Sequence, residues 1–251
     1  MIELAEPTDG DPRKSGLHRR ELFAAGLTVA VAAAGGNVLA KEPVTRDAVL
    51  PPVTAGTDLP SEAMLTLNAT EQAFLIAAVD ILIPADALSP SASECGVVSF
   101  IDRQLAGAWG AGARLYRSGP FLKGKPEHGY QLPLTPREYF GAGIAEVNDW
   151  TRLVYGATLE GLAPSAAEDV LRKLEAGQAE LQGLPGKEFF EALLAITMEG
   201  FFADPIYGGN RHKAGWRMIG YPGLPATYAR AIEEYRGKPY RVNPKSIEDF
   251  L

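Results

Sequence analysis

The residues best suited to chemistry lie close together in the sequence, between positions 203 and 223. Side chains that can carry positive charge, those of Arg211, His212, Lys213 and Arg217, follow a Gly-Gly-Asn triplet at 208–210. Glycine and asparagine tolerate left-handed backbone, which exposes main-chain amides, so this loop could bind an anion or a substrate. It could also dock a partner protein, or pack on itself and fix two helices. The residues that define the loop are Asp204, Pro205, Tyr207, Gly208, Gly209, Asn210, Gly215, Trp216, Tyr221, Pro222 and Gly223.

The sequence lacks the short motifs that mark nucleotide, haem, zinc or serine-hydrolase chemistry. The nearest string to a dinucleotide-binding fingerprint, residues 107–112, has the wrong glycine spacing and no strand pattern before it. Residues 183–187 resemble a phosphate-binding loop, but Glu188 stands where Ser or Thr is required. The haem-attachment pattern C-x-x-C-H is also absent, as are H-E-x-x-H and G-x-S-x-G. We therefore expect no catalytic, cofactor-binding or metal-binding residue in this chain.

Histidine and cysteine are scarce. His128 and His212 each stand in a loop without a nearby group of carboxylates, so we predict that both are solvated. The single cysteine, Cys95, excludes an internal disulfide and a Cys-rich zinc or iron–sulfur site. Its position predicts a small buried apolar side chain at a helix start, and a bond to another chain is the alternative.

Composition excludes several classes of protein. Of the 251 residues, 46% are apolar and 22% are charged, as in soluble globular chains. A disordered tail protein, a collagen-like fibre and a polytopic membrane protein are therefore excluded. The net charge of −7 also argues against a nucleic-acid partner, because binding to the phosphate backbone needs clustered basic charge.

The first 40 residues have the layout of an export signal. The pair Arg19-Arg20 precedes a weakly apolar run at 24–34, and Val38-Leu39-Ala40 fits a signal-peptidase site. The paired arginines, followed by Leu22 and Phe23, predict a twin-arginine signal. Cleavage after Ala34 is an alternative to cleavage after Ala40. A cytosolic amphipathic helix or a short anchor helix is the alternative to an export signal.

The export route has a functional implication. Proteins that use it usually fold and bind a cofactor before they cross the membrane, or travel with a partner that does. This chain has no recognisable cofactor motif. The combination is a mismatch, because the route serves folded cofactor proteins and this chain shows no cofactor site of its own.

The remaining sequence divides into an arm and a helical domain. Residues 41–66 are rich in proline and threonine and show no sustained period, so they predict an extended arm or a loose tether. Residues 67–251 show helical patterns and no convincing strand alternation. We predict a single all-α domain, irregular and with long loops, preceded by an extended N-terminal arm.

Local signals give the boundaries of the predicted helices. Capping-box patterns begin at Asn68, Thr135 and Ser165, with a glutamate three residues later in each case. Residues 106–134 show no period but contain Trp109, Tyr116, Phe121 and Tyr130, and long irregular segments of this kind tend to be functional or partner-bound. The predicted helices are Ala69–Ile83, Val97–Leu105, a long helix from Pro136, a short helix from Ser165 that ends at Gly177, Lys187–Phe202 and Pro225–Arg236.

With these residues in view, the chain resembles the gluconate 2-dehydrogenase subunit 3 family. The most specific string runs from Asp204 to Gly223 and reads D-P-I-Y-G-G-N, then G-W, then I-G-Y-P-G. Residues Leu67–Pro84 match a family helix of the form L-x-x-x-E followed by D-x-x-I-P, and Arg19-Arg20 match its export signal.

The resemblance implies a non-catalytic small (gamma) subunit of a periplasmic dehydrogenase of sugars, polyols or sugar acids. In such complexes the large subunit is a flavoprotein of the glucose–methanol–choline (GMC) type, which carries FAD and the oxidising site. A multihaem cytochrome c subunit can complete the complex and pass electrons to quinone, which places the assembly on the inner membrane. The small subunit carries the twin-arginine signal to the translocase and brings the folded large subunit with it.

Two other hypotheses remain open on the residues alone. A stand-alone periplasmic enzyme would use Asp204, Tyr207, His212 and Trp216 as a pocket, but it needs a nucleophile and a base that we do not find. A ligand-binding module without catalysis would use the same loop, residues 204–223.

Overall fold

The computed structural model describes residues 63–122, 124–125, 128–224 and 227–251. The expected signal peptide, 1–40, and residues 41–62 of the expected arm lie outside the described residues. Within the described ranges the chain forms α-helices and no β-strand, which confirms the all-α prediction. The helices are α1 (Ala69–Leu82), α2 (Val97–Ala106), α3 (Pro136–Tyr155), α4 (Pro164–Glu175), α5 (Gly186–Phe202), α6 (Ala214–Ile219) and α7 (Ala229–Glu234).

Two of the predicted capping boxes are present. At the start of α1, Asn68 Oδ1 accepts from the Glu71 N–H at 3.0 Å, and the Glu71 carboxylate accepts from the Asn68 N–H at 2.9 Å. Thr135 and Glu138 form the same reciprocal pair before α3, with Pro136 at the first helical position. Each box satisfies two amides that a helix start leaves without partners.

The predicted box at Ser165 is wrong. Helix α4 begins at Pro164, with Ala163 as its N-cap and no side-chain capping bond. Proline fits the first helical position and forces the residue before it into extended backbone, so the start falls before Ser165. The predicted end is confirmed, because Gly177 adopts φ +68° and its N–H bonds to Leu174 O at 2.9 Å.

The predicted last helix is too long. Helix α7 covers only Ala229–Glu234, and residues 225–226 of the predicted range lie outside the described residues. None of the residues of α7 is buried. A helix without a packed face has little tertiary contact to extend it, since most helical stability in proteins comes from such packing.

Helices α1 and α5 are central to the core. Helix α1 contacts α2, α3, α4 and α5, and α5 also contacts α6. The buried face of α1 includes Phe74, Leu75, Val79 and Leu82, as its spacing predicts. The Phe189 ring on α5 lies 6.4 Å from the Phe74 ring, so aromatic contacts join the two helices. Within the part of the chain described above, no helix is long and apolar enough to cross a bilayer.

Candidate functional site

The loop of residues 203–223 begins where α5 ends. The Asp204 carboxylate caps the next 3₁₀ turn, Pro205–Tyr207, by accepting from the Ile206 N–H at 3.1 Å. Its other oxygen accepts from the N–H of Ile247 at 3.0 Å, 43 residues away in sequence. Asp204 therefore joins the loop to a second 3₁₀ turn, Ile247–Phe250. Both of its carboxylate oxygens bond to the protein's own backbone.

The two glycines of the triplet are explained by close packing. Gly208 adopts φ +99°, a conformation that favours glycine, and a Cβ atom there would lie 2.8 Å from Arg103 Nη1. A Cβ atom on Gly209 would overlap the carbonyl oxygen of Gly200 on α5. Arg211, which follows the triplet, donates its N–H to Cys95 O at 2.9 Å. The loop is thereby pressed against α5 and the start of α2.

Asn210 closes the loop from inside. Its side chain is fully buried, and its backbone is left-handed, with φ +47°. The side-chain amide Nδ2 donates to Ala203 O at 2.8 Å, and Oδ1 accepts from the Gly215 N–H at 2.8 Å. Both polar atoms are therefore used to tie the start of the loop to α6.

Trp216 fastens α6 to the end of α5. The indole Nε1 donates to Phe202 O at 2.7 Å, which satisfies one of the carbonyls that a helix end leaves without partners. The Trp216 side chain is buried, and its ring meets that of Tyr221 edge-on with centroids 5.1 Å apart. The two aromatic side chains therefore pack against each other where α6 meets the turn that follows it.

The Tyr221-Pro222-Gly223 turn holds the chain downstream. Lys245 N donates to Pro222 O at 3.1 Å, and Leu224 N donates to Lys245 O at 2.7 Å. Gly223 adopts φ +74°, and a Cβ atom there would overlap the Lys245 backbone. Lys245 and its neighbours are therefore fixed against the loop by main-chain hydrogen bonds.

The positive side chains do not converge on one point. Arg211 Nη2 contacts Ser99 Oγ at 3.3 Å, whereas His212 and Arg217 are exposed to solvent. Lys213 forms an ion pair with Asp249. That pair, together with the Ser246 N–H at 2.6 Å from the same carboxylate, lowers the pKa of Asp249 to about 2. Asp249 was not among the residues that the sequence singled out, since nothing in the local pattern links it to position 213.

The aromatic residues of 106–134 divide into two groups. Trp109 and Tyr116 are exposed, at 48% and 76% of their surface, together with Leu122 at 73%. The Tyr130 ring instead stacks on Tyr139 of α3, with centroids 4.0 Å apart and planes inclined by 6°. The Trp109 ring also contacts Phe140 of α3, with centroids 6.4 Å apart, so the described part of this segment is attached to α3 near both ends and exposes Tyr116 and Leu122 between them.

The end of the arm that is described is held by a buried carboxylate. Asp102 on α2 is 2% exposed and accepts the N–H groups of Leu65, Thr66 and Leu67 at 2.6, 3.0 and 2.9 Å. Arg137 adds a hydrogen bond to Thr66 O at 3.0 Å. Sequence reasoning missed Asp102, because a single aspartate on a helix carries no local signal of a partner 35 residues away.

Cys95 and the two histidines lie in the environments predicted for them. Cys95 is buried just before α2, with its Sγ 3.8 Å from Pro90 O. His128 and His212 are both exposed, and His212 lies in the 3₁₀ turn Arg211–Lys213. Among the described residues, no group of three His, Cys, Asp or Glu side chains could hold a metal ion.

Comparison with known proteins gives one match. A family model described as gluconate 2-dehydrogenase subunit 3 matches residues 69–223, from the first residue of α1 to the end of the loop. No curated protein and no solved structure matches the chain.

Proposed function

The chain belongs to the gluconate 2-dehydrogenase subunit 3 family, and we propose that it is the non-catalytic small subunit of a periplasmic, FAD-dependent dehydrogenase of the GMC type. Membership makes it a subunit of a dehydrogenase complex. In the proposal, FAD and the oxidising site lie on a large subunit, and a cytochrome c subunit links the complex to the inner membrane. The substrate is a sugar, a polyol or a sugar acid.

The direction of the polar atoms in the 203–223 loop carries this proposal. Three of the five polar or aromatic side chains of the family string, those of Asp204, Asn210 and Trp216, bond to the chain's own backbone. A site that binds or converts a small molecule needs polar groups that converge on the ligand. The string instead supports a scaffold that holds α5, α6 and the Ile247–Phe250 turn in one arrangement.

Exposed apolar side chains supply the surface for the large subunit. Tyr207 and Ile219, on the same loop, are 51% and 56% exposed. The 106–134 segment adds Trp109, Tyr116 and Leu122. Large aromatic and aliphatic side chains that are exposed in the free subunit and buried in a complex contribute most of the binding energy at protein interfaces. We place the large subunit on these two surfaces, and the N-terminal arm, 41–66, is the third proposed contact.

The proposed escort role rests on the N-terminal sequence. Arg19-Arg20 and the apolar run at 24–34 form the export signal, and the chain has no cofactor motif of its own. A small subunit with this signal could carry a folded, FAD-loaded partner that lacks one.

Affinity purification of the tagged full chain from periplasm tests the proposal. We expect a flavoprotein of GMC type to copurify, with the absorption spectrum of bound flavin. A Tyr116→Ser/Leu122→Ser variant should recover much less flavoprotein, whereas Leu153→Ser, at a site 86% exposed on α3, should recover as much as the wild type. Recovery of the wild-type chain alone would refute the proposal, and oxidation of a polyol by that lone chain would support a stand-alone enzyme instead.

A further inference from the structure

A short basic segment follows α7. Residues Tyr235–Lys245 contain Arg236, Lys238, Arg241 and Lys245 and no aspartate or glutamate, in a chain whose net charge is −7. The family match ends at residue 223, so this basic segment lies outside the region that defines the family. Its charge is therefore a feature of this chain that the 203–223 loop does not explain.

The cations of the basic segment are available to a partner. All four are exposed, and in the described part of the chain none of them forms an ion pair. Lys245 lies over the Phe250 ring, with Nζ 5.8 Å from its centroid, and the residue is exposed to solvent. An unpaired cation group of this density attracts an anionic surface.

Apolar side chains are exposed beside these cations. Tyr240 is 39% exposed, Val242 44%, and Ile232 on α7 64%. The Tyr240 ring packs edge-on against Tyr235 with centroids 4.8 Å apart. Tyrosine with an aliphatic residue and flanking Lys or Arg is the composition that favours a membrane–water interface, where the ring sits at headgroup depth.

The basic segment is attached to the 203–223 loop at its Lys245 end, and its first residues form a turn of their own. The Lys245 backbone bonds to Pro222 and Leu224, at 3.1 and 2.7 Å, and the Lys238 N–H bonds to Tyr235 O at 2.8 Å. A surface that is already ordered loses less conformational entropy on binding.

We propose that the basic segment, Tyr235–Lys245, is a peripheral membrane contact that binds anionic phospholipid headgroups. Its exposed cations favour an anionic occupant. The partly exposed Tyr240 and Val242 side chains favour a lipid surface over an acidic protein, because a headgroup layer accepts such side chains without a preformed cavity. This goes beyond the proposed function, since it gives the small subunit a membrane contact of its own that needs neither the large subunit nor a cytochrome.

Sedimentation of the purified full chain with vesicles tests this contact. The vesicles consist of phosphatidylcholine alone, or of phosphatidylcholine with about 30% phosphatidylglycerol as the anionic lipid. We expect binding to the anionic vesicles only, and release in 1 M salt, where the Debye length falls to about 3 Å. Each cation near an anionic surface contributes roughly fivefold in partitioning, so Arg236→Gln/Lys238→Gln/Arg241→Gln should bind roughly 100-fold more weakly.

Two further variants make the test specific. Arg152→Gln/Lys173→Gln/Lys187→Gln removes the same charge from α3, α4 and α5, and should bind as the wild type does. Tyr240→Ser/Val242→Ser keeps every cation and should still weaken binding, which purely electrostatic attraction would not predict. The proposal is overturned if the wild type does not bind anionic vesicles, or if Arg236→Gln/Lys238→Gln/Arg241→Gln binds them as the wild type does. It is also overturned if this variant and the control triple variant lose binding equally. A different partner is indicated if Arg236→Gln/Lys238→Gln/Arg241→Gln keeps vesicle binding and instead loses the copurifying flavoprotein. The segment would then bind a protein, and the proposal would again be overturned.

Discussion

Gly209 and Gly200 are in such close backbone contact that no Cβ atom fits on Gly209, because it would overlap the carbonyl oxygen of Gly200. Gly200 lies on α5 and Gly209 in the middle of the 203–223 loop. The contact lets the loop turn directly back onto the helix that it leaves. The glycine at 209 is thus needed for space, whereas Gly208 is also needed for its left-handed backbone.

The first prediction follows from that contact. Gly209→Ala should lower the free energy of unfolding by about 3 kcal/mol, because the added methyl group must displace backbone. Gly161→Ala is the matched control, since its Cβ would meet other atoms only at 3.5 Å or more. Urea unfolding of both variants measures the difference, and equal stability of the two would contradict the packing described here.

Asn210 gives a second prediction. Asn210→Asp replaces the amide that donates to Ala203 O with an oxygen, and it buries a charge in the loop. We expect the free energy of unfolding to fall by about 3 kcal/mol. Asn243→Asp makes the same chemical change at an exposed position and should shift stability by no more than about 0.5 kcal/mol. Thermal or urea unfolding of the two variants measures both losses of stability. A loss for Asn243→Asp as large as that for Asn210→Asp would contradict the prediction.

The Lys213–Asp249 ion pair predicts a dependence on pH. The pKa of Asp249 is about 2 in the folded protein, below the value of about 3.9 expected for an unfolded aspartate. The ion pair therefore stabilises the fold above pH 4. This contribution is lost as the pH falls towards 2. The stability advantage of the wild type over Asp249→Asn should therefore shrink between pH 5 and pH 2. Glu248→Gln, at the neighbouring exposed position, should show no such trend; an advantage of constant size would disprove the assignment to Asp249.

Tyr139 predicts a substitution without cost. Its hydroxyl is buried and has no hydrogen-bond partner among the described residues, and burial raises its pKa. Tyr139→Phe keeps the ring contacts and should leave the free energy of unfolding unchanged or raise it by about 1 kcal/mol. Tyr130→Phe removes a hydrogen bond to Leu134 O and should lower it by about 1 kcal/mol. The opposite order in denaturation experiments would show that the Tyr139 hydroxyl has a partner.

The features that the sequence predicted well depend on neighbours three or four residues apart. The capping boxes at Asn68 and Thr135 are bonds between residues i and i+3, so the residues that form them can be read directly. The same rule failed at Ser165, where Pro164 set the helix start. Helix α7 was overestimated because a helical pattern was present without the packing that would sustain it.

The arrangement of the candidate site depends on contacts that no local pattern contains. Asp204 reaches Ile247 across 43 residues, and Asp102 reaches Leu67 across 35. The sequence identified Gly209 as a loop residue but gave no sign that Gly200 lies against it. The string from Asp204 to Gly223 was therefore recognisable, although the physical reason for each residue in it required the structure.

The fate of the large subunit in a strain that carries Arg19→Lys/Arg20→Lys tests the central claim most directly. The quantity to measure is the periplasmic flavin that is bound to the large subunit. The amounts of both subunits in total cell extract serve as the control and should equal those of the wild-type strain. The proposed escort role predicts that both subunits remain in the cytoplasm and that periplasmic dehydrogenase activity is lost. Arrival of the FAD-loaded large subunit in the periplasm at wild-type levels would contradict it.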